Sequence, residues 1–280
     1  TYGQNPDLEK MPMYGVVFSF KDPFDTKDMR STGGGDAAYD IDFPARDHVL
    51  VDQLREKGAI IFAKAVNTEY NGRAGDPGGR HKPEKKLPSV LGYQRSTWAG
   101  NPSNPYDTTR AASLGSSSGS ALSVSTNLVM ASLGEETRAS CRGPSNHNSV
   151  ALILPHKAML GFDGGAIGAD IYCDRSGIHC RTIGDCAKVL DALKEPDNGY
   201  YDPRDPFTTV PRSSVLSTPY SDHVQKQESL AGLRIGVIRE SMAYNPSSKS
   251  EEPIVTAADN EIKSILGKKL GATLVESTDP

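Results

Sequence analysis

Two serine-containing clusters are the residues of this chain best suited to nucleophilic chemistry. The first is Gly115-Ser116-Ser117-Ser118-Gly119-Ser120-Ala121, and the second is Glu136-Thr137-Arg138-Ala139-Ser140-Cys141-Arg142-Gly143-Pro144. Ser140 follows Ser116 by 24 positions. A serine hydroxyl is a weak nucleophile unless a neighbouring base takes its proton. The pattern therefore predicts a serine nucleophile and requires a base elsewhere in the chain.

Lys64 is the candidate base that the sequence favours. It follows the apolar run Ala59-Ile60-Ile61-Phe62-Ala63, which has the length and residue types of a strand. Such a strand would carry the lysine into a poorly hydrated interior, where burial favours the neutral amine that can act as a general base. A Ser-His-Asp triad with His147 is possible in principle, but the lysine needs fewer assumptions.

A flexible linker is the ordinary interpretation of a Gly/Ser cluster such as residues 115–120. The residues that follow favour a different one. The stretch 121–130 (ALSVSTNLVM) is rich in apolar residues and predicts a buried helix, so the first cluster is interpreted as a turn that leads into that helix.

The order of these motifs resembles the amidase signature family, whose members are serine hydrolases with a Ser-Ser-Lys triad. The resemblance rests on the lysine, on Gly-Ser-Ser-Ser-Gly-Ser-Ala and on Glu-Thr-x-x-Ser-x-x-x-Pro. It extends along most of the chain through five further segments that look like family strands, helices and turns: 13–22 (MYGVVFSFKD), 47–64, 104–110, 174–193 and 232–237.

The resemblance implies roles for residues by position. Ser140 matches the nucleophile, Ser116 the bridging serine whose peptide bond is usually cis, and Lys64 the base. Ser116 would pass the proton of Ser140 to Lys64 while Ser140 attacks an amide carbonyl, and water would then cleave the acyl-enzyme. The oxyanion hole is implied to consist of the backbone N–H groups of Thr137, Arg138, Ala139 and Ser140, with Ser117 and Arg142 as neighbouring partners.

Arg138 and Ala139 depart from the family pattern, which usually has glycine directly before the nucleophile. A glycine there can adopt backbone angles that alanine adopts only at a cost. Arg138 and Ala139 motivate the first of two alternatives to a free-standing amide hydrolase that stay open. One is a non-catalytic amidase-like binding protein. The other is the ammonia-producing subunit of an amidotransferase, which would predict an obligate partner and a basic face for tRNA.

Composition is that of a globular protein, with 36% hydrophobic residues, 24% charged residues and a net charge of −4. The chain has no block of clustered Lys and Arg, so we expect no nucleic-acid partner. No apolar stretch approaches the roughly 20 residues that span a bilayer, so we expect no membrane span. The four cysteines and six histidines form none of the spacings typical of metal sites, and neither a metal nor a cofactor is expected.

Alternating strand and helix patterns predict an α/β fold with a mixed central sheet flanked by helices on both faces. The predicted elements are strands at 16–17, 59–63 and 235–237 and helices at 49–57, 121–130 and 183–193. We expect one amidase-signature domain over residues 1–280, without the family's N-terminal helical extension and without the C-terminal part of the sheet. A second chain that completes the fold, or a homodimer, is the partner expected besides a small amide substrate.

Two long loops, 72–88 and 197–219, are expected to border the substrate pocket. Aromatic residues in or near such loops are candidates for an acyl-binding wall: Tyr93, Trp98, Tyr172, Tyr200 and Tyr201. The sequence does not assign a cellular compartment; with no targeting signal visible, the cytoplasm is only the default.

Overall fold

A computed structural model describes residues 5–35, 43–71, 96, 98–100, 102–113, 115–165, 174–194, 215–224, 228–242 and 251–277. The chain separates into two compact units, Thr1–Val224 and Gln225–Pro280. The single domain expected over residues 1–280 stays a prediction.

A five-stranded mixed sheet forms the centre of the first unit. The strands of this unit are β1 (Val17–Lys21), β2 (Ile60–Ala65), β3 (Ser103–Asn104), β4 (Asp107–Ala111), β5 (Ala131–Glu136), β6 (Ala151–Ile153) and β7 (Arg175–Cys180). The large sheet has the order β2-β1-β5-β7-β6, and β3 pairs with β4 separately. β1 is parallel to both β2 and β5, whereas β7 is antiparallel to β5 and β6.

Helices cover both faces of this sheet. They are α1 (Val49–Glu56), α2 (Ser118–Ser125), α3 (Arg142–His147) and α4 (Ile183–Leu193). On one face, Phe18 and Phe20 of β1 share a core with leucines of α1 and α4. On the other face, Ser19 Oγ lies 2.8 Å from Ser123 Oγ of α2. The predicted fold class, a mixed α/β sheet flanked by helices, is confirmed.

Local sequence explains where the helices begin and end. Thr182 precedes α4, and its hydroxyl accepts a 3.1 Å hydrogen bond from Asp185 N–H, an N-cap that satisfies one free donor of the first turn. The predicted bounds of this helix are confirmed. The helix predicted at 121–130 is instead α2, and it ends at Ser125. Asn127 has a positive φ of 59°, which stops the helix before β5 begins at Ala131.

The second unit contains a two-stranded parallel sheet of β8 (Arg234–Ile238) and β9 (Thr273–Ser277). Helix α5 (Glu251–Glu261) continues directly into a π-helical segment, Ile262–Lys269, which precedes β9.

Several predicted features lie outside the described residues. These are the loop 72–88, most of the loop 197–219, and Tyr93, Tyr172, Cys173, Tyr200 and Tyr201. Trp98 is described and is about half exposed. Among the described helices, none combines the length and the apolar character that a membrane crossing requires.

Candidate active site

Lys21, the last residue of β1, is the lysine that meets the first serine cluster. Its side chain is fully buried, and its Nζ atom donates a 2.7 Å hydrogen bond to Ser116 Oγ. Alternation along β1 explains this placement, because Phe18 and Phe20 face the apolar core while Ser19 and Lys21 face α2. Nζ also donates to Glu135 of the neighbouring strand β5, at 2.9 Å to Oε2 and 3.4 Å to the carbonyl oxygen.

Glycines allow the first serine cluster to approach the segment that follows β2. Gly115 has a φ of +83°, and a Cβ atom there would lie 2.5 Å from Thr68 Cγ2. At Gly119 a Cβ would lie 2.5 Å from the backbone nitrogen of Val66, whose carbonyl accepts a 2.8 Å hydrogen bond from Gly119 N–H. Only glycine fits such close contacts. The peptide bond between Gly115 and Ser116 is cis, the isomer that the resemblance implies.

The second serine cluster lies directly against the first. Ser117 N–H donates a 3.0 Å hydrogen bond to the carbonyl of Ser140, and Ser117 Oγ donates at 3.0 Å to the carbonyl of Glu135. Ser116 and Ser117 are buried, while Ser140 is half-buried in the turn between β5 and α3. The fold thus brings the two predicted serines to one place, where Ser140 is accessible to solvent and Ser116 is not.

Glu136 fixes the turn that carries Ser140. Its Oε2 atom accepts 3.0 Å hydrogen bonds from the N–H groups of both Cys141 and Arg142. Its Oε1 atom accepts from Arg142 Nε at 2.9 Å and from Arg175 Nη2 at 3.3 Å. Arg142 therefore acts on the site by holding Glu136, a fully buried carboxylate with two cationic partners.

The backbone donors expected to form an oxyanion hole stand in an exposed turn. Thr137, Arg138 and Ala139 are exposed, and no hydrogen bond to the described residues uses their N–H groups or that of Ser140. Four non-glycine residues in the described part of the chain have a positive φ, and Ala139 is not one of them. The backbone conformation at Ala139 therefore does not demand glycine. The Thr137 hydroxyl donates to the buried carboxylate of Asp174.

Lys64, the predicted base, makes its hydrogen bonds away from the serine clusters. Lys64 is paired with Phe20 in the parallel register of β1 and β2, so it lies on the face opposite to Lys21. Its Nζ atom donates to Arg30 O at 3.1 Å and to Ser31 Oγ at 2.8 Å. Burial lowers the pKa of Lys64 to about 8, against the opposing effect of three nearby aspartates. Burial thus lowers the pKa of Lys64 as expected, but this lysine lies on the face of the sheet opposite to Lys21.

Cys141 and His179 fill the space behind the serine clusters. Cys141 is a free buried thiol whose pKa burial raises to about 12, and Sγ lies 3.7 Å from Ser117 Oγ. His179 Nδ1 lies 2.8 Å from Ser145 Oγ, and burial lowers the pKa of this histidine to about 3. Cys180 and Cys186 are also free and buried, which confirms the interpretation of the described cysteines as buried thiols.

His147, the histidine of the alternative triad, is exposed at the end of α3. Its backbone carbonyl accepts a hydrogen bond from Asn104, but its imidazole makes no hydrogen bond with the described residues. The part of the chain that is described contains no group of three or more His, Cys, Asp or Glu side chains arranged to hold a metal ion.

Comparison with known proteins identifies the family of this chain. The family model described as Amidase matches residues 3–276, nearly the whole chain. The chain belongs to the amidase family. A probable amidase of Arabidopsis thaliana is 34% identical over 230 residues, which are 82% of this chain and 41% of the relative.

Two further amidase-family proteins show the range of the similarity. One is a subunit of the mitochondrial glutamyl-tRNA(Gln) amidotransferase of Anopheles gambiae, which is 31% identical over 80% of this chain and 40% of the relative. The other is native peptide amidase from Stenotrophomonas maltophilia, whose crystal structure superposes with a TM-score of 0.70 at 26% identity, covering 96% of this chain and 48% of that one. The chain thus spans about half the length of these amidase-family proteins.

Proposed function

We propose that the chain carries the catalytic centre of an amide hydrolase, with Ser140 as nucleophile, Ser116 as the bridging serine and Lys21 as the base. The 2.7 Å hydrogen bond between Lys21 Nζ and Ser116 Oγ carries this proposal, because it joins a buried amine to the first serine cluster. The next residue, Ser117, donates a backbone hydrogen bond to the carbonyl of Ser140. A hydroxyl that lacks a histidine partner can be activated through such a bridge.

The reaction begins when Ser140 Oγ attacks the carbonyl carbon of an amide. The proton of Ser140 moves to Ser116 Oγ while the proton of Ser116 moves to the neutral amine of Lys21. The C–N bond of the tetrahedral intermediate then breaks, and the amine leaves with the proton returned through Ser116. Water attacks the resulting ester by the same relay, which releases the carboxylic acid and restores Ser140.

The free N–H groups of the turn 137–140 support this chemistry. They have no partner within the described residues and belong to the nucleophile and the three residues before it, which supports a role in binding the oxyanion of the tetrahedral intermediate. One such donor is worth about 3–4 kcal/mol in acyl transfer. Ser117 and Glu136 support the same turn, Ser117 through the Ser140 carbonyl and Glu136 through the N–H groups that follow Ser140.

A second candidate function is ammonia release within an amidotransferase. It is favoured by the similarity to the Anopheles gambiae protein that is named as part of such an enzyme. The same relay would then hydrolyse the side-chain amide of glutamine, and a second chain would be required for activity. Release of ammonia from glutamine that appears only when a partner chain is added would favour this candidate over a free-standing hydrolase.

A fluorophosphonate probe tests the proposed nucleophile. We expect an adduct that peptide mass mapping places on Ser140, that is lost in Ser140→Ala and that forms more slowly in Ser116→Ala and Lys21→Met. Lys64→Met is the matched control: it removes a lysine from the neighbouring strand at the opposite face, and labelling should continue at the wild-type rate.

A double variant distinguishes loss of the base from loss of the fold. Lys21→Met leaves the buried Glu135 carboxylate without its cation, so Lys21→Met/Glu135→Gln, which removes both charges, should be measured beside it. If the wild-type protein is folded but is not labelled by the probe, the hydrolase proposal is overturned and the non-catalytic binding protein is favoured. Slower labelling in Lys64→Met than in Lys21→Met would overturn the assignment of the base.

A further inference from the structure

Glu135 is the charged neighbour of the relay lysine, and no step of the proposed reaction uses it. We propose that Glu135 is a positioning residue that holds Lys21 in its ammonium form, so that the relay becomes active only after the pair loses a proton to solvent. The inference rests on the proposed function, since it concerns the same lysine, but it also predicts a property of Lys21 that can be measured without catalysis.

The ion pair is closed off from water. The side chains of Lys21 and Glu135 are 0% and 1% exposed, and their Nζ and Oε2 atoms are 2.9 Å apart. Asn71 Nδ2 donates to the same Oε2 atom at 3.0 Å. The other oxygen, Oε1, is buried and has no hydrogen-bond partner within the described residues. Lys21 is therefore the one cation that compensates this carboxylate in the part of the chain that is described.

None of the other titratable groups described around Lys21 forms a hydrogen bond with its Nζ atom. Cys141 is a neutral thiol with a pKa of about 12, and His179 of β7 is neutral because burial lowers its pKa to about 3.

Asp22, the next residue of the chain, directs its carboxylate to the N–H groups of Thr32 and Gly34. Glu136 is occupied by Arg142 and Arg175. On β2, the register partner of Lys21 is Ala65. Glu135 is thus the carboxylate in direct contact with Lys21 among the described residues.

This contact has a chemical consequence for the relay. An ammonium group has no lone pair, so it donates to Ser116 Oγ but cannot accept the proton of Ser116. A carboxylate in direct contact favours the ammonium, whereas burial alone would favour the neutral amine. One proton must therefore leave the Lys21–Glu135 pair before Ser140 can be activated, and the rate of acylation should rise with pH until that loss is complete.

Glu135→Gln isolates the charge from the shape of the side chain. The amide oxygen of glutamine can still accept from Lys21 Nζ and Asn71 Nδ2, but it leaves the lysine without a counter-charge. We expect the rising limb of the pH profile for Ser140 labelling by a fluorophosphonate to move about one to three units toward lower pH. At pH 7, on that limb, the labelling rate should rise about tenfold or more.

Asp47→Asn is the matched control. Asp47 is another buried carboxylate of the first unit, paired with Lys27 and Arg55 and not with the serine clusters. Loss of the Asp47 charge should leave the pH profile of Ser140 labelling unchanged. A uniform loss of labelling at every pH in Glu135→Gln, without a shift of the limb, would mean that Glu135 is only structural and would overturn the inference. If neither form labels between pH 6 and 11, the proposed function itself fails.

The 13Cε chemical shift of Lys21 provides a second readout that needs no reaction and no single Glu135→Gln variant. It is measured in wild-type protein with 13C-labelled lysine and assigned by comparison with Lys21→Met/Glu135→Gln. We expect Lys21 to show the shift of an ammonium at pH 7 and to lose it only at alkaline pH, parallel to the gain in Ser140 labelling. The shift of a neutral amine at pH 7 would overturn the inference whether or not the protein reacts.

Discussion

Lys21 and Glu135 form an ion pair whose atoms are 2.9 Å apart and whose side chains are both excluded from solvent. Removing two charges from water is expensive, and the attraction within the pair offsets that loss only while both partners are present. The pair is therefore compatible with the core only when both side chains are present. Each charge is tolerated because of the other, and the relay serine accepts a hydrogen bond from the same ammonium.

The first prediction is that the two residues are strongly coupled in stability. Lys21→Met leaves the buried Glu135 carboxylate without its cation and should lower the free energy of unfolding by about 3–5 kcal/mol. The double variant Lys21→Met/Glu135→Gln should lose less than the sum of the two single variants, by about 0.5–3 kcal/mol. Urea unfolding of the four proteins measures the coupling, and additive losses would show that the pair is not a unit.

The second prediction concerns Glu136, which joins the end of β5 to the start of α3. Glu136→Ala removes the acceptor of two backbone N–H groups and leaves Arg142 and Arg175 without their carboxylate. We expect a loss of about 1–3 kcal/mol in unfolding free energy, because the buried N–H of Cys141 is left without an acceptor. We also expect much slower labelling of Ser140, because its turn is no longer held. Thermal and urea unfolding measure the first effect.

The control for this change is Asp107→Ala, which removes an exposed carboxylate paired with Arg110. An exposed pair of this kind contributes little, so stability should change by at most about 1 kcal/mol. Equal losses in the two variants would contradict the assigned importance of Glu136.

The third prediction is an acid destabilisation that comes from His48 and His179. Burial lowers the pKa of each from 6.5 to about 3. The unfolded chain therefore binds protons between these values that the folded chain does not. The resulting stability is complete above about pH 6.5 and is lost as the pH falls toward about 3. His48→Asn should reduce the slope of unfolding free energy against pH by up to about 1.4 kcal/mol per unit.

Asparagine is chosen because His48 is the N-cap of α1, where its Nδ1 atom accepts from Leu50 N–H, and asparagine is a good N-cap. His147→Asn changes an exposed histidine and should leave the slope unaltered. A slope that stays the same in His48→Asn would mean that this imidazole does not exclude a proton in the folded state.

The placement of the two lysines shows what the sequence could predict about the site. Motif order places Ser116 and Ser140 together, and the hydrogen bond from Ser117 N–H to the Ser140 carbonyl agrees with that placement. An apolar run indicates that Lys64 ends a strand, but not which face of the sheet it occupies. The alternation Phe18-Ser19-Phe20-Lys21 contained that information, because a strand with phenylalanines on the core face must direct its lysine to the other.

Strand β5 could not be predicted from pattern for a different reason. It contains Gly134, Glu135 and Glu136, residue types that are rare inside strands, yet all six of its residues are buried. Tertiary partners override local preference here, since Lys21 compensates one glutamate and two arginines compensate the other. Those partners come from β1, α3 and β7, and no local window of sequence contains them all.

The fourth prediction decides whether Ala139 impairs the turn that carries the nucleophile. The φ of Ala139 is not positive, so alanine is compatible with the turn. Ala139→Gly should therefore change the rate of Ser140 labelling by less than tenfold, which corresponds to about 1.4 kcal/mol. It should lower stability by about 0.4–1 kcal/mol through the greater freedom of the unfolded chain. Ala99→Gly, in another exposed turn, controls for that loss. If glycine instead raised labelling a hundredfold or more, the gain expected from restoring one oxyanion donor, the alanine would be disabling the hole.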